Sequence, residues 1–286
     1  MPHIEIQRED RPFSDAIADL RKRFILPTSL GSSDIADLDA RIRAAAFFSA
    51  RVTQAEILDG FKAELERLVV GVSPGPGQYS DPATVRLRMK ELLQSLDYRP
   101  ADPDDEGTIK DLRTDRRLNL IIRTNDEFAR GYGQFVQDTD PETVDIWPCW
   151  ELVRVRPSRV PRDWRTRWEE AMVAVGDDGA RAALVEGRMV ARKDSPIWAR
   201  LSRFGVPHPP FDFNSGMGVE DVGRDDAIAL GVIAPADRIT PPEHPGEFST
   251  RANVDGMSDD VAGALLGSLG PRYTIEDGVL REAGDA

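Results

Sequence analysis

One segment constrains the fold more than any other. From Asp111 to Gln137 apolar residues return every three or four positions: Leu118, Ile121, Ile122, Phe128, Ala129, Tyr132, Phe135 and Val136. That period predicts one long amphipathic helix. Its other face carries Arg116, Arg123, Glu127 and Arg130, with Arg123 and Glu127 spaced for an i,i+4 ion pair. Asn125 interrupts the stripe between Ile122 and Phe128. A buried amide is costly unless hydrogen-bonded, so Asn125 is expected to tether a neighbour, either the Trp147–Pro157 strand or the Asp212–Gly218 loop. Gly131-Tyr132-Gly133 falls inside the helical pattern and reads as a point of close packing.

The chain before this helix also reads as helical. Helices are expected from Arg11 to Leu26, and from a Ser33 or Asp34 cap through Ile35, Leu38, Ile42, Ala45, Ala46 and Ser49. Thr53 and Glu56 have capping-box spacing ahead of the stripe Ile57, Leu58, Phe61, Leu65, Leu68 and Val69. Gly71 to Ser80 is a loop. Asp81-Pro82 then opens a helix with Val85, Met89, Leu92, Leu93 and Leu96 inward. Pro100 to Gly107 is an acidic loop.

After Ile146 the pattern changes. Glu151 to Arg156 alternates as a half-buried strand does, and Gly187 to Ala191 is a second short strand. Pro161 to Ala171 predicts a helix presenting Trp164 and Trp168. Another opens at Asp194-Ser195-Pro196, carries Ile197, Trp198, Leu201 and Phe204, and closes at Gly205. Val206 to Val222 reads as irregular, Asp225 to Leu230 as a short helix ended by Gly231, and Ala234 to Met257 as a proline-rich arm. A last helix runs from Ser258 to Leu269, and Asp277-Gly278 marks a hairpin within Arg272–Arg281. The expected class is α+β. Residues 1–110 form a helical region, 111–233 the long helix with a small mixed α/β region, and 234–286 the arm, short helix and hairpin.

Chemical signatures are sparse. The three histidines, His3, His208 and His244, have no metal-ligand spacing to one another or to the single cysteine, Cys149, which reads as a small buried hydrophobe. Ser215 lacks a nucleophile-elbow context, and no phosphate-binding glycine loop is present. Asp212 starts a stretch like a calcium loop, but positions six and twelve are Met217 and Gly223 where glycine and glutamate are needed. No cofactor, metal or catalytic residue is therefore expected. No apolar run is long enough to span a bilayer, the first twenty residues are too charged for a signal peptide, and a reducing cytosol suits a lone cysteine.

Net charge is −13, and from Gly205 onward 15 acidic residues face 5 basic ones, which disfavours nucleic acid at that end. Six arginines between Arg154 and Arg167 could touch phosphate, but nearby carboxylates reduce the local excess, and a solvated or partner-facing strand is the expected role. The enzyme alternative, a nucleotide-using transferase or hydrolase, would have to bring Arg123, Asn125, Glu151 and Asp212 to one cleft.

The order of motifs carries a resemblance. Arg123-Thr124-Asn125 lies on the long helix, followed by Ala129 and Gly131 or Gly133. Trp147, Trp150 and Glu151 then lead into Val153-Arg154-Val155-Arg156-Pro157-Ser158, and Pro209-Pro210-Phe211 precedes Asp212 and Asn214. The segments beginning at Pro12-Phe13 and running through Ser49-Ala50-Arg51 match as well. This pattern, over about Pro12 to Leu230, resembles the Mu F-like phage head morphogenesis family. The chain departs from it twice. Arg159 stands where the family places a histidine, and Phe211 to Gly218 replaces a His-Pro-Asn-Cys-Arg-Cys segment. The resemblance implies a structural minor head protein of a tailed phage or prophage. It would sit inside the procapsid, in the host cytoplasm during assembly and in the virion head thereafter. Its partners would be portal or capsid proteins, with packaged DNA as a further contact and no membrane. It would carry out no turnover chemistry.

Overall fold

The computed structural model describes residues 14–31, 34–35, 38, 40–71, 80–157, 161–240, 251–253, 263, 266–267, 271, 273–276 and 279–282. In chain order the elements are α1 (Ser14–Lys22), β1 (Phe24–Ile25), α2 (Ala40–Ala45), β2 (Ala46–Phe47), α3 (Ala55–Val70) and α4 (Pro82–Ser95). A 3-10 turn (Pro103–Asp105) precedes α5 (Asp115–Asp138) and α6 (Pro141–Ile146). Then come β3 (Cys149–Arg154), α7 (Trp164–Val175), α8 (Asp178–Val185), β4 (Val190–Arg192), α9 (Ile197–Leu201), β5 (Met217–Val222) and α10 (Arg224–Ala229). The last strands are β6 (Arg251–Asn253), β7 (Tyr273–Glu276) and β8 (Val279–Glu282). The fold is α+β.

The long helix is α5, and it starts later than the stripe suggested. Thr114 caps it, its hydroxyl accepting from the Arg117 amide at 3.3 Å. Asp111 stays in the preceding loop, where its carboxylate accepts from the Gly107 and Arg113 amides, each at 2.9 Å. Two cores meet on α5. Leu118, Ile121, Ile122 and Ala129 join residues of α1, α3 and α4 such as Leu20, Phe61, Leu65 and Met89. Phe135, about two turns further along, joins Trp150, Trp168, Trp198 and Phe211 instead. Trp198 meets Trp150 and Trp168 edge-on, at 5.6 and 5.3 Å between ring centroids. Each such pair adds about 0.5–1.5 kcal/mol beyond area burial.

Strand β3 lies at the centre of an antiparallel sheet of order β4-β3-β5. Its alternation follows the sequence, with Trp150 and Leu152 buried and Arg154 exposed. Strand β5 occupies the end of the stretch read as irregular, and β4 begins three residues after Gly187, which adopts φ +80° in the preceding turn. Helices α6 and α8 lie where no element was expected, and the 3-10 turn falls within the expected acidic loop. Asp140, Asp177 and Asp102 cap them, each accepting a backbone amide.

The N-terminal helices are shorter than their stripes. After Lys22 the chain extends, and Phe24–Ile25 pairs in parallel with Ala46–Phe47. Pairing buries the Phe47 ring and supplies the Leu26 amide with the Phe47 carbonyl at 3.0 Å. This breaks the helix expected through Ser49, yet Ile35, Leu38, Ile42 and Ala46 still share one buried cluster. Asp34 accepts backward from the Gly31 amide at 2.8 Å; Ser33 and residues 36 and 37, which a forward cap would bond, lie outside the described residues. The Thr53–Glu56 capping box does not form, because Gln54 is the N-cap of α3 and gives it no side-chain bond. Asp81 caps α4 as expected, accepting from Ala83 and Thr84 at 2.8 and 3.1 Å.

The first residues of the expected arm are held down. Ile239 packs on the cluster around Cys149, and the Thr240 amide donates to Asp194 at 3.2 Å. Residues 241–250 and 254–257, Arg159, and most of the Ser258–Leu269 helix lie outside the described residues. Strands β7 and β8 pair antiparallel about the Asp277-Gly278 position, itself outside them.

One lysine joins α5 to the sheet. Lys193 is 0% exposed. Its ammonium donates to the Asp138 carbonyl at 2.8 Å, pairs with Asp221 at 2.7 Å, and lies 5.3 Å from the centre of the Trp150 ring. It neutralises the negative end of the helix dipole where the helix enters the second core. Lys193→Met leaves the Asp138 carbonyl and Asp221 without that cation and should lower unfolding free energy by about 3 kcal/mol. Urea denaturation measures it, and a change below about 0.5 kcal/mol, the scale of an ordinary surface substitution, would contradict the role.

Candidate functional site

The motif residues gather where α5 receives the loop between α9 and β5. Here Gly131 has a steric duty. A Cβ placed on it would lie 1.8 Å from the Pro209 carbonyl oxygen and 3.1 Å from His208 Nδ1. The close approach foreseen at Gly131 is thus helix against loop, not helix against helix. The Pro209-Pro210 bond is cis. His208 is 1% exposed, and its ring lies 5.2, 6.1 and 5.7 Å from those of Phe128, Tyr132 and Phe135. Beyond the prolines, Phe211 is buried and stacks on Trp198 at 6.0 Å.

The next residues are held by ion pairs and turns. Asp212 is buried. Its carboxylate accepts from Arg167 at 2.9 Å, lies 3.7 Å from Arg162, and accepts the Phe213 amide at 2.8 Å. Asn214 adopts φ +49°, a left-handed conformation that asparagine tolerates. Its side-chain oxygen accepts from Arg123 at 2.9 Å. Gly216, at φ +65°, lies so close to β3 that an added Cβ would meet the Arg156 carbonyl at 2.5 Å. Its own carbonyl accepts the Val155 and Arg156 amides at 3.0 and 3.1 Å. A second cross-link joins Arg156 to Glu127 of α5 at 2.5 Å.

These contacts redistribute the expected roles. Arg123 does not pair with Glu127; it holds Asn214, while Glu127 holds Arg156. Asn125 is not the tether. Its amide donates to the Ile121 carbonyl of its own helix at 2.9 Å, and its side chain borders a cleft with Thr124. Trp150 belongs to the core beneath the site. Trp147 ends α6 and is 41% exposed beside Ile146 at 56%, apart from the loop. Arg154 stands exposed at the end of β3, opposite Met217. Pro209, Pro210, Asp212, Asn214 and Arg123 therefore come together, whereas Trp147 and Asn125 do not join them. The four residues an enzyme would need are held separately: Glu151 by Arg188 at 2.5 Å, Asp212 by Arg167, Arg123 by Asn214, and Asn125 by its own helix.

Several contributors gave little sequence signal. Arg162 and Arg167 sit in an arginine-rich stretch that marks no individual residue. Lys193 carried no sequence signal, standing beyond Arg192 after the expected Gly187–Ala191 strand. His208 lies between prolines, a hint of a buried turn and not of a metal ligand. Among the described residues no group of three His, Cys, Asp or Glu could hold a metal, and no helix is long and apolar enough to cross a membrane. Burial raises the Cys149 thiol to about 12, which disfavours the nucleophilic thiolate. Burial, reinforced by Asp221, also raises Asp138.

The chain is 28% identical over 219 residues to the Mu-like prophage FluMu F protein of Haemophilus influenzae, covering 76% of this chain and 43% of that protein. It is 25% identical over 259 residues to the putative capsid assembly protein F of Escherichia phage Mu, covering 89% of this chain and 48% of that one. The chain is a divergent relative of the Mu F proteins. It spans just under half the length of these Mu F relatives. No protein-family model and no solved structure matches it.

Two outcomes follow from the site. Arg123→Ala should speed proteolysis between residues 206 and 222, while Asn125→Leu should not. Equal cleavage rates in the two variants would contradict the reassigned tether. Burial also lowers His208 to about 3, below the 6.5 of a free histidine. The folded chain therefore binds fewer protons there, and the neutral ring's contribution is complete above pH 6.5 and lost as pH falls toward 3. Relative to wild type, His208→Phe should remove a stability slope of up to about 1.4 kcal/mol per pH unit below pH 6. Parallel stability–pH curves would contradict that assignment.

Proposed function

We propose that the chain is a structural head protein of a tailed phage or prophage, acting in head morphogenesis from inside the procapsid beside the portal. The observation that carries this reading is the alignment of 89% of the chain with a protein named for capsid assembly. The alignment is too long to rest on a single helix or loop.

The geometry supports a structural role. Arg123, Asn125, Glu151 and Asp212 are each engaged in a separate structural contact. The arginine-rich stretch behaves the same way. Of its five described arginines, Arg156, Arg162, Arg165 and Arg167 each face a carboxylate within the chain, leaving Arg154 at the strand end. Arginines engaged internally are poor at displacing counterions from DNA, so portal or capsid proteins are the favoured partners. Trp147 and Ile146, an exposed aromatic–aliphatic pair beside the sheet, supply the kind of anchor that protein contacts use.

The test is assembly in cells that express this chain with its neighbouring portal and capsid genes. Procapsids purified on a gradient should contain the chain at a few copies each. Trp147→Ser should lower that occupancy without changing the chain's own melting temperature. Absence of the wild-type chain from procapsids and mature particles alike would overturn the proposal.

A further inference from the structure

Beside Arg123, which holds the loop, Thr124 and Asn125 of α5 line a cleft of about 850 Å³ whose far wall takes Phe213 and Asn214. From α5 the floor takes Arg117, Leu120, Ile121, Thr124, Asn125 and Phe128. Those positions are i, i+3, i+4, i+7, i+8 and i+11, one helix face about 16 Å long. The cleft explains why polar residues interrupt the apolar stripe there. They line a cavity instead of entering a core.

The two ends of the floor differ chemically. At the Arg117 end stand Ser49, Arg51 and Thr53, with Asp102 and Asp105 on the adjoining wall and Asp105 3.9 Å from Arg51. Arg117 donates to the Ser49 hydroxyl at 2.8 Å and the Ala50 carbonyl at 3.1 Å, and among the described residues no carboxylate pairs with it. Its Nε is buried with no hydrogen-bond partner. Burial disfavours its charge, so an anion brought to this point gains a poorly solvated, directional donor. The Phe128 end is aromatic. Phe128 meets Phe204 edge-on at 5.8 Å, Phe204 meets Phe213 at 5.0 Å, and the Arg203 guanidinium lies 5.7 Å from the Phe213 centroid. A chain with net charge −13 thus holds a cleft with an unneutralised guanidinium at one end and ring faces at the other. Its volume lies within the roughly 300–1,000 Å³ typical of small-ligand sites.

We propose that this cleft binds a nucleotide, its phosphate on Arg117 and Ser49 and its base against Phe204 and Phe213. A nucleotide joins the two chemistries the floor separates: phosphate oxygens that accept from a guanidinium and a flat base that stacks on aromatic rings. A free mononucleotide and the terminal nucleotide of a single strand offer the same groups. The site borders the α5 loop junction, sharing Phe213 and Asn214 with it, and does not depend on the assembly role.

Calorimetric titration of the full chain with dAMP, and with a short 5′-phosphorylated single-stranded oligonucleotide, tests it and distinguishes the two sources. At least one should bind saturably at one site per chain. Deoxyadenosine and inorganic phosphate should each bind at least about tenfold more weakly, since each keeps only one of the two contacts. Arg117→Gln should weaken binding about tenfold or more, and Thr124→Trp, which fills the floor, should abolish it, with thermal melts confirming that each variant folds. Should Arg117→Gln fail to fold, Phe213→Ala on the open wall replaces it, with the same expected loss. No saturable binding of either nucleotide form would overturn the proposal. So would affinity unchanged by the cleft variants, or binding confined to duplex DNA or to an acidic peptide.

Discussion

The Pro209 carbonyl lies against the bare Cα of Gly131, closer than any side chain would permit. The arrangement around it depends on that approach. With the loop seated, His208 can enter the aromatic groove of α5, and Phe211 can reach Trp198 in the second core. The same seating brings Asp212 to Arg167 and Asn214 to Arg123. A long helix with a single stripe could have built one bundle. Here it serves two cores, because its later turns receive a loop and a sheet where its earlier turns receive helices.

Charged groups fix the relation between these parts. Lys193 ties the end of α5 to β5, Arg156 ties β3 to Glu127, and Arg123 ties the helix to the loop. Partly buried pairs of this kind add little net stability but penalise alternative registers heavily, because a displaced partner leaves a desolvated charge. Such a junction is suited to holding shape within an assembly. The chain's resemblance to the F proteins of Mu and a Mu-like prophage runs through most of its length, as a shared scaffold would require.

Much of this was legible in the sequence, for reasons that differ by element. Helix α5 could be read because its stripe is long and its period unambiguous, and the cap at Asp81 follows from a side chain that satisfies its own helix; the Thr114 cap did not show, because the stripe fixes no start. Strand β3 showed through its alternation. Short elements set by tertiary pairing did not show: β1 and β2 exist because two-residue segments meet, and no local pattern announces that. Asn125 marks a deeper limit. Its place in the stripe announced something other than core, but whether it faced a loop or a cavity depended on which segment covered that face. The arginine partners were equally hidden, since each of Arg123, Arg156 and Arg167 had several carboxylates or amides within sequence reach.

The stability of Gly131→Ala tests the central claim most directly, because the two possible answers differ in sign. In a helix that nothing approaches, alanine exceeds glycine in helix propensity and would stabilise the chain by up to about 1 kcal/mol. If the Pro209 carbonyl occupies the space a methyl needs, the loop must lift, and both His208 and Phe211 lose their seats. The account predicts a loss of at least about 2 kcal/mol in urea denaturation, on the scale of large core disruptions, with faster amide exchange across residues 206–218. An increase in stability with unchanged exchange would contradict it.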